Sequence, residues 1–119
     1  AMTLVREAIL AAAERLGPDR VPWPLTQAPL IGADEPLRAS AAGIVAELSA
    51  RIAAAIARRI PPASATLAEP AAAAVVGAAV AAMASWARSG SGRGPLPPRV
   101  DAAITPVCAG FDAAMVATR

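Results

Sequence analysis

The sequence predicts an all-α domain, an antiparallel bundle of about four to six helices. Three observations point that way. Ala dominates the composition, and Ala has the best helix propensity of any residue. Hydrophobic residues make up 56% of the chain while aromatics are only 3%, so the residues that favour strands are scarce. Finally, Leu, Ile and Val recur every three or four residues through several long stretches, the period of an amphipathic helix.

The first helix is expected over Thr3 to Leu16. Thr3 offers a cap, Leu4, Val5, Ala8, Ile9, Ala12 and Leu16 form the apolar stripe, and Gly17-Pro18 stops it. Glu7 and Glu14 fall off the stripe and should face water. Residues 17–36 carry Pro18, Pro22, Pro24, Pro29 and Pro36, which forbid a long helix. Trp23, Leu25, Leu30 and Ile31 lie on this segment and must dock on the bundle or line a cavity.

Pro36 to Ile60 carries the clearest helical period. Leu37, Ala41, Ile44, Leu48, Ile52, Ile56 and Ile60 mark one face, Asp34 or Glu35 can cap it, and Pro61-Pro62 ends it. Glu47 and Arg51 stand four apart on the outer face in the favourable order. Arg58-Arg59 places cationic groups at the negative end of the helix dipole.

A third long helix is expected from Thr66 to Ser89. Its start is read at Glu69 as cap with Pro70 in the first helical position, in preference to a capping box from Thr66 to Glu69. Val76, Val80, Met83 and Ala87 form one face; Gly77, Ala78, Ala81 and Ser85 form a smooth neighbouring one. The uncharged run from Ala71 to Ala87 sits at the lower limit of spanning length and is mostly Ala and Gly, so it is read as a buried helix and not a membrane span. A Gly/Pro loop follows. Its Gly90 to Gly94 run lacks the spacing and the Lys-Ser/Thr ending of a phosphate loop. The last helix is expected from Pro98 to Thr118, with Val100, Ile104, Val107, Cys108, Phe111 and Met115 on its face and a kink or restart at Pro106, where Thr105 could cap.

The composition excludes much chemistry. There is no His, Lys, Tyr or Asn, and one Cys. The commonest general base, the commonest metal ligand and the Schiff-base amine are all missing, so neither a catalytic residue nor a metal site nor a cofactor is expected. Arg38, Arg51 and Glu47 are the nearest to an enzymatic cluster, and they fall off the apolar stripe. A net charge of +2 spread along the chain is no nucleic-acid footprint. The lone Cys108, read as an inert packing residue, fits a reducing cytoplasm. Ala1-Met2 reads as a remnant ahead of the natural segment.

The order and spacing of several stretches resemble the C-terminal domain of TetR-type transcriptional regulators, closest to the subfamily with an acyl-CoA-like ligand-binding domain. The resemblance runs from about Leu4 to Ala113. It is carried by Ala8 to Pro18, Glu35 to Ala39, Glu47 to Arg59, then Trp86 with the loop ending Gly94-Pro95-Leu96-Pro97, and Ala109-Gly110-Phe111. It implies a single effector-binding and dimerisation domain over residues 1–119, without the helix-turn-helix that would touch DNA. It also implies that the last two helices form a four-helix interface in a homodimer, with Gly77, Ala78, Ala81, Ser85, Ile104, Cys108 and Phe111 as interface residues. The earlier helices would enclose a pocket for a small apolar effector, acyl-CoA-like or lipid-like, walled by Trp23, Leu30, Ile31, Ile44, Leu48, Val80 and Met83. The competing expectation is a stand-alone helical interaction module with no cavity.

Overall fold

The computed structural model describes residues 1–15 and 34–117. Among these the chain forms four α-helices and no strand. They are α1 (Met2–Ala13), α2 (Asp34–Ala57), α3 (Ala68–Arg88) and α4 (Leu96–Ala117). Two short 3₁₀ turns, Pro62–Leu67 and Gly90–Gly92, lead into and out of α3.

The helix ends differ from the periodic pattern for local reasons. α1 closes at Ala13 because the Arg15 amide donates to the Ala12 carbonyl, tightening the last turn. α2 stops at Ala57: the Arg59 amide bonds Ile56 at 2.9 Å, and Pro61 pushes Ile60 out of the helical region. Ahead of α3 the expected cap at Glu69 is not used. The 3₁₀ turn from Pro62 runs directly into Ala68, so the first turn needs no side-chain cap, and Pro70 falls where amides have no intrahelical partner. Exposed Glu69 still sits at the positive end of the dipole. α4 starts at Leu96, two residues before the expected Pro98, and runs through Pro106 without a break. Thr105 does not restart it as a cap; its hydroxyl donates to Asp101 Oδ1 at 2.7 Å.

α3 lies at the centre, against both α2 and α4, while α1 packs on α4. The core is built from small and medium aliphatic side chains, with Ala71, Ala72, Val75 and Val76 of α3 buried against Ile56, Val100 and Ile104. Ser64 donates to the Met115 carbonyl at 3.2 Å, tying the start of the α2–α3 connection to the end of α4. Trp86 is the largest buried side chain. Its indole N–H donates to the Gly94 carbonyl at 2.8 Å, and the Arg93 guanidinium lies over the ring, 5.5 Å from its centre. The Gly-rich loop therefore closes over Trp86, and Gly94 takes a positive φ of 68° that favours glycine. Cys108 is buried, and desolvation pushes its thiol pKa up, with the charge of Asp112 acting in the same direction.

Met2, read from the sequence as part of a remnant, is wholly buried, and its amide donates to Asp112 Oδ1 at 3.1 Å. One turn on, Arg6 clasps α4. Its guanidinium reaches Asp101 at 2.7 Å and its Nε lies 3.2 Å from the Thr105 hydroxyl. The Thr105 hydrogen bond and then the Arg6 guanidinium hold the Asp101 carboxyl below its ordinary range.

Two stretches, Pro62–Arg88 and Leu96–Ala117, are long and apolar enough to cross a membrane by length and composition. Within the most apolar 18-residue window of each, 28% and 22% is buried.

Because Asp101 has a lowered pKa when folded, the stability it contributes is complete above the unfolded carboxylate pKa and is lost as pH falls through the lower folded value. Asp101→Asn should therefore be less stable than the wild type at neutral pH. The difference should disappear as pH drops below about 4. Chemical denaturation across pH 2–7 (about five pH units) reads this directly.

Candidate ligand cleft

α1 docks on α4 and α2 docks on α3, so α1 and α2 face each other across a gap instead of packing together. The gap is a cleft of about 500 Å³, within the range of small-molecule sites. One wall is the apolar stripe of α1: Leu4, Val5, Ala8, Ile9 and Ala12. The other is Leu48, Ile52, Ala55 and Ile56 of α2, with Arg59 at its end. Val76, Ala79, Val80 and Met83 of α3 form the floor, completed by Leu96 and Val100 of α4.

The direction of the cleft follows from the packing. Met2 meets Asp112 and Arg6 meets Asp101, so α1 runs antiparallel to α4. Ser64 meets Met115, so the chain leaving α2 passes the same end of α4 that the start of α1 does. Arg59 therefore lies at the end of the cleft where α1 begins. Leu48, Met83, Ala12 and Leu96 lie toward the other end.

Of the residues expected to wall a pocket, Leu48, Val80 and Met83 line this cleft. Ile44 does not. It is 67% exposed, one turn beyond the stretch of α2 that faces α1. Trp23, Leu30 and Ile31 lie outside the described residues. The expected stripe of α2 is buried only toward its C-terminal half: Leu48 is 46% exposed and Ile56 is 1% exposed.

The residues expected at an interface divide in two. Gly77, Ala81 and Ser85 are exposed on α3, four residues apart on one face, and Ala78 is half-buried beside them. On α4, Ile104 and Cys108 are buried within the chain, so they present no surface to a partner; Phe111 is half-buried. The reason is that α4 spends its apolar stripe twice over inside the protomer, against α1 and against α3.

Glu47 and Arg51 pair at 2.7 Å on the exposed side of α2 and do not enter the cleft, and the side chain of Arg38 lies outside the described residues. No group of metal-ligating side chains occurs among the described residues. Sequence reasoning placed Arg59 only as a helix-terminal cation. In the structure it donates to the Ala55 carbonyl at 3.1 Å and also borders the cleft. Its spacing from Ile52 and Ile56, seven and three residues, was the available signal.

Four helices around an aliphatic cleft define a small all-α domain. The chain matches the family model of the MftR C-terminal domain over residues 1–112 and belongs to that family, which makes it a C-terminal domain of the TetR-type regulators. No curated protein and no solved structure matches it. Domains of this family are regulatory and not enzymatic.

The cleft geometry sets an order of mutational sensitivity. Ile56→Ala should destabilise the chain by about 2–5 kcal/mol, since Ile56 is buried in the core. Leu48→Ala should cost under about 1 kcal/mol, because the wall it belongs to has little to pack on. Urea titrations of the two variants make the comparison.

Proposed function

We propose that this chain is the effector-sensing and homodimerisation domain of a cytoplasmic TetR-type repressor. The observation that carries the proposal is the cleft: about 500 Å³ of aliphatic surface whose two walls are docked on different helices. A ligand with apolar surface, lipid-like or acyl-CoA-like, supplies the contacts that Leu4, Leu48 and Val80 lack in the empty cleft. In doing so it couples α1 to α2. A helix-turn-helix domain attached to this one would read the operator. Ligand would act on it by favouring one arrangement of α1 and α2 over another, a shift between two populated states. This domain itself makes no contact with nucleic acid in the proposed mechanism.

The homodimer has its own support. α3 exposes Gly77, Ala81 and Ser85, and α4 exposes Gly110 and Val116. Gly77 and Gly110 interrupt these helices, at a cost of about 1 kcal/mol each relative to Ala. Among the described residues no contact requires them, since a methyl group at either position would meet no atom within 4 Å. A second copy approaching closely over Gly77, Ala81 and Ser85 gives the glycine a purpose, and a four-helix interface of α3 and α4 with their symmetry mates satisfies the uncovered surface.

Two measurements test the proposal. Dodecanol at a hundred times its dissociation constant should stabilise the chain by about 2.7 kcal/mol, and Val80→Trp, which fills the cleft, should abolish the effect. An unchanged shift in Val80→Trp places the binding elsewhere. Separately, native mass spectrometry should give a species at twice 11.8 kDa, and Ala81→Arg should convert it to monomer. A monomeric wild type at micromolar concentration removes the dimer from the proposal and favours an interaction module.

A further inference from the structure

We infer that the cleft binds its ligand in one direction, with an anionic group at Arg59 and an aliphatic tail running toward Leu48 and Met83. The inference rests on the cleft being a ligand site and adds which residue sets specificity and how the ligand lies.

Three observations carry it. First, among the described residues that line the cleft, Arg59 carries the one charged side chain, and the other side chains are apolar. Second, Arg59 is exposed and has no carboxylate partner among the described side chains; its one hydrogen bond, through one terminal nitrogen, goes to the Ala55 carbonyl of its own helix. A guanidinium has five N–H donors in a planar fork, so most of its capacity remains for an anion. Arg15 and Arg58, at the ends of the wall helices, do not line the cleft, and two further arginines are paired elsewhere. Arg6 is held by Asp101, and Arg51 by Glu47. Third, the antiparallel packing puts Arg59 at one end of the cleft and not midway along it. An uncharged ligand could lie either way round; a ligand with one anionic terminus could not.

The ligand chemistry is therefore an unbranched aliphatic chain ending in an anion, either carboxylate or phosphate. The ion pair would stand near solvent, so its effect is selection between ligands and not the bulk of affinity, which the aliphatic contacts supply. The Ala55 bond already orients the guanidinium, which limits the rotamer freedom lost when the anion arrives.

The test compares dodecanoate, dodecyl phosphate and dodecanol, each below its aggregation concentration, by isothermal titration against the wild-type chain, Arg59→Gln and Arg59→Lys. The wild type should bind one or both anions about fivefold more tightly than the alcohol. Arg59→Gln should abolish that preference, bringing anion affinity to that of dodecanol, and Arg59→Lys should keep part of it. Whichever anion is preferred identifies the head group. Equal binding of anions and alcohol by the wild type, or a preference that survives Arg59→Gln, overturns the inference and leaves the cleft as a purely apolar site. Failure of all three probes to bind overturns the ligand-binding proposal and this inference together.

Discussion

The fold depends on α3 lying against two long helices at once. Ala71, Ala72 and Val75 are wholly buried there, and Val76 nearly so. Side chains this small let helix axes approach closely, so a bundle with almost no aromatic residues still closes its core. Each such residue buries little area, and stability must come from many close contacts along a long seam. Trp86, the largest buried side chain among the described residues, is placed where α3 ends, and the loop from Gly90 is wrapped over it. It blocks the end of the seam where small residues could not.

The cleft is a consequence of the same arrangement. With α3 taking α2 on one side and α4 on the other, α1 can dock only on α4, where Met2 and Arg6 fasten it. That leaves the stripe of α1 opposite the stripe of α2 with no described residue between them. In a domain that only had to be stable, larger side chains would fill the gap. Here Ala8, Ala12, Ala55 and Ala79 line it, and the space stays open. The rear of α1 is held by a polar clasp of Arg6, Asp101 and Thr105, and its front is unpartnered. Such a wall can respond to what occupies the space before it.

Much of the architecture was legible in the sequence. The helices fall where the three-to-four residue period places them, and Pro61-Pro62 ends the second as expected. The Glu47–Arg51 pair forms on the exposed face. The errors cluster where a residue's surroundings decide its role. Thr105 looked like a cap after Pro106, yet it serves Asp101 and Arg6, whose proximity is set by α1 coming from nearly a hundred residues away. Ile104 and Cys108 were expected at an interface from the family resemblance, and both are buried within the chain. An apolar stripe cannot say whether its partner is another helix of the same chain. Met2 looked like a remnant because nothing local to it reveals that it fills the end of the α1–α4 seam.

By itself, the sequence determined the secondary structure, the poverty of reactive groups and the family, because propensity, composition and spacing are properties of the chain read in order. Only the tertiary structure decided which apolar stripe becomes core and which becomes cleft. The stripes of α1 and α4 are alike in composition. One is buried between two helices, and the other faces a gap, because α3 has two sides and both are already taken. Arg59 shows the same division. Its charge at a helix end is a local fact, while its place at one end of an aliphatic cleft exists only once α1 has docked antiparallel to α4.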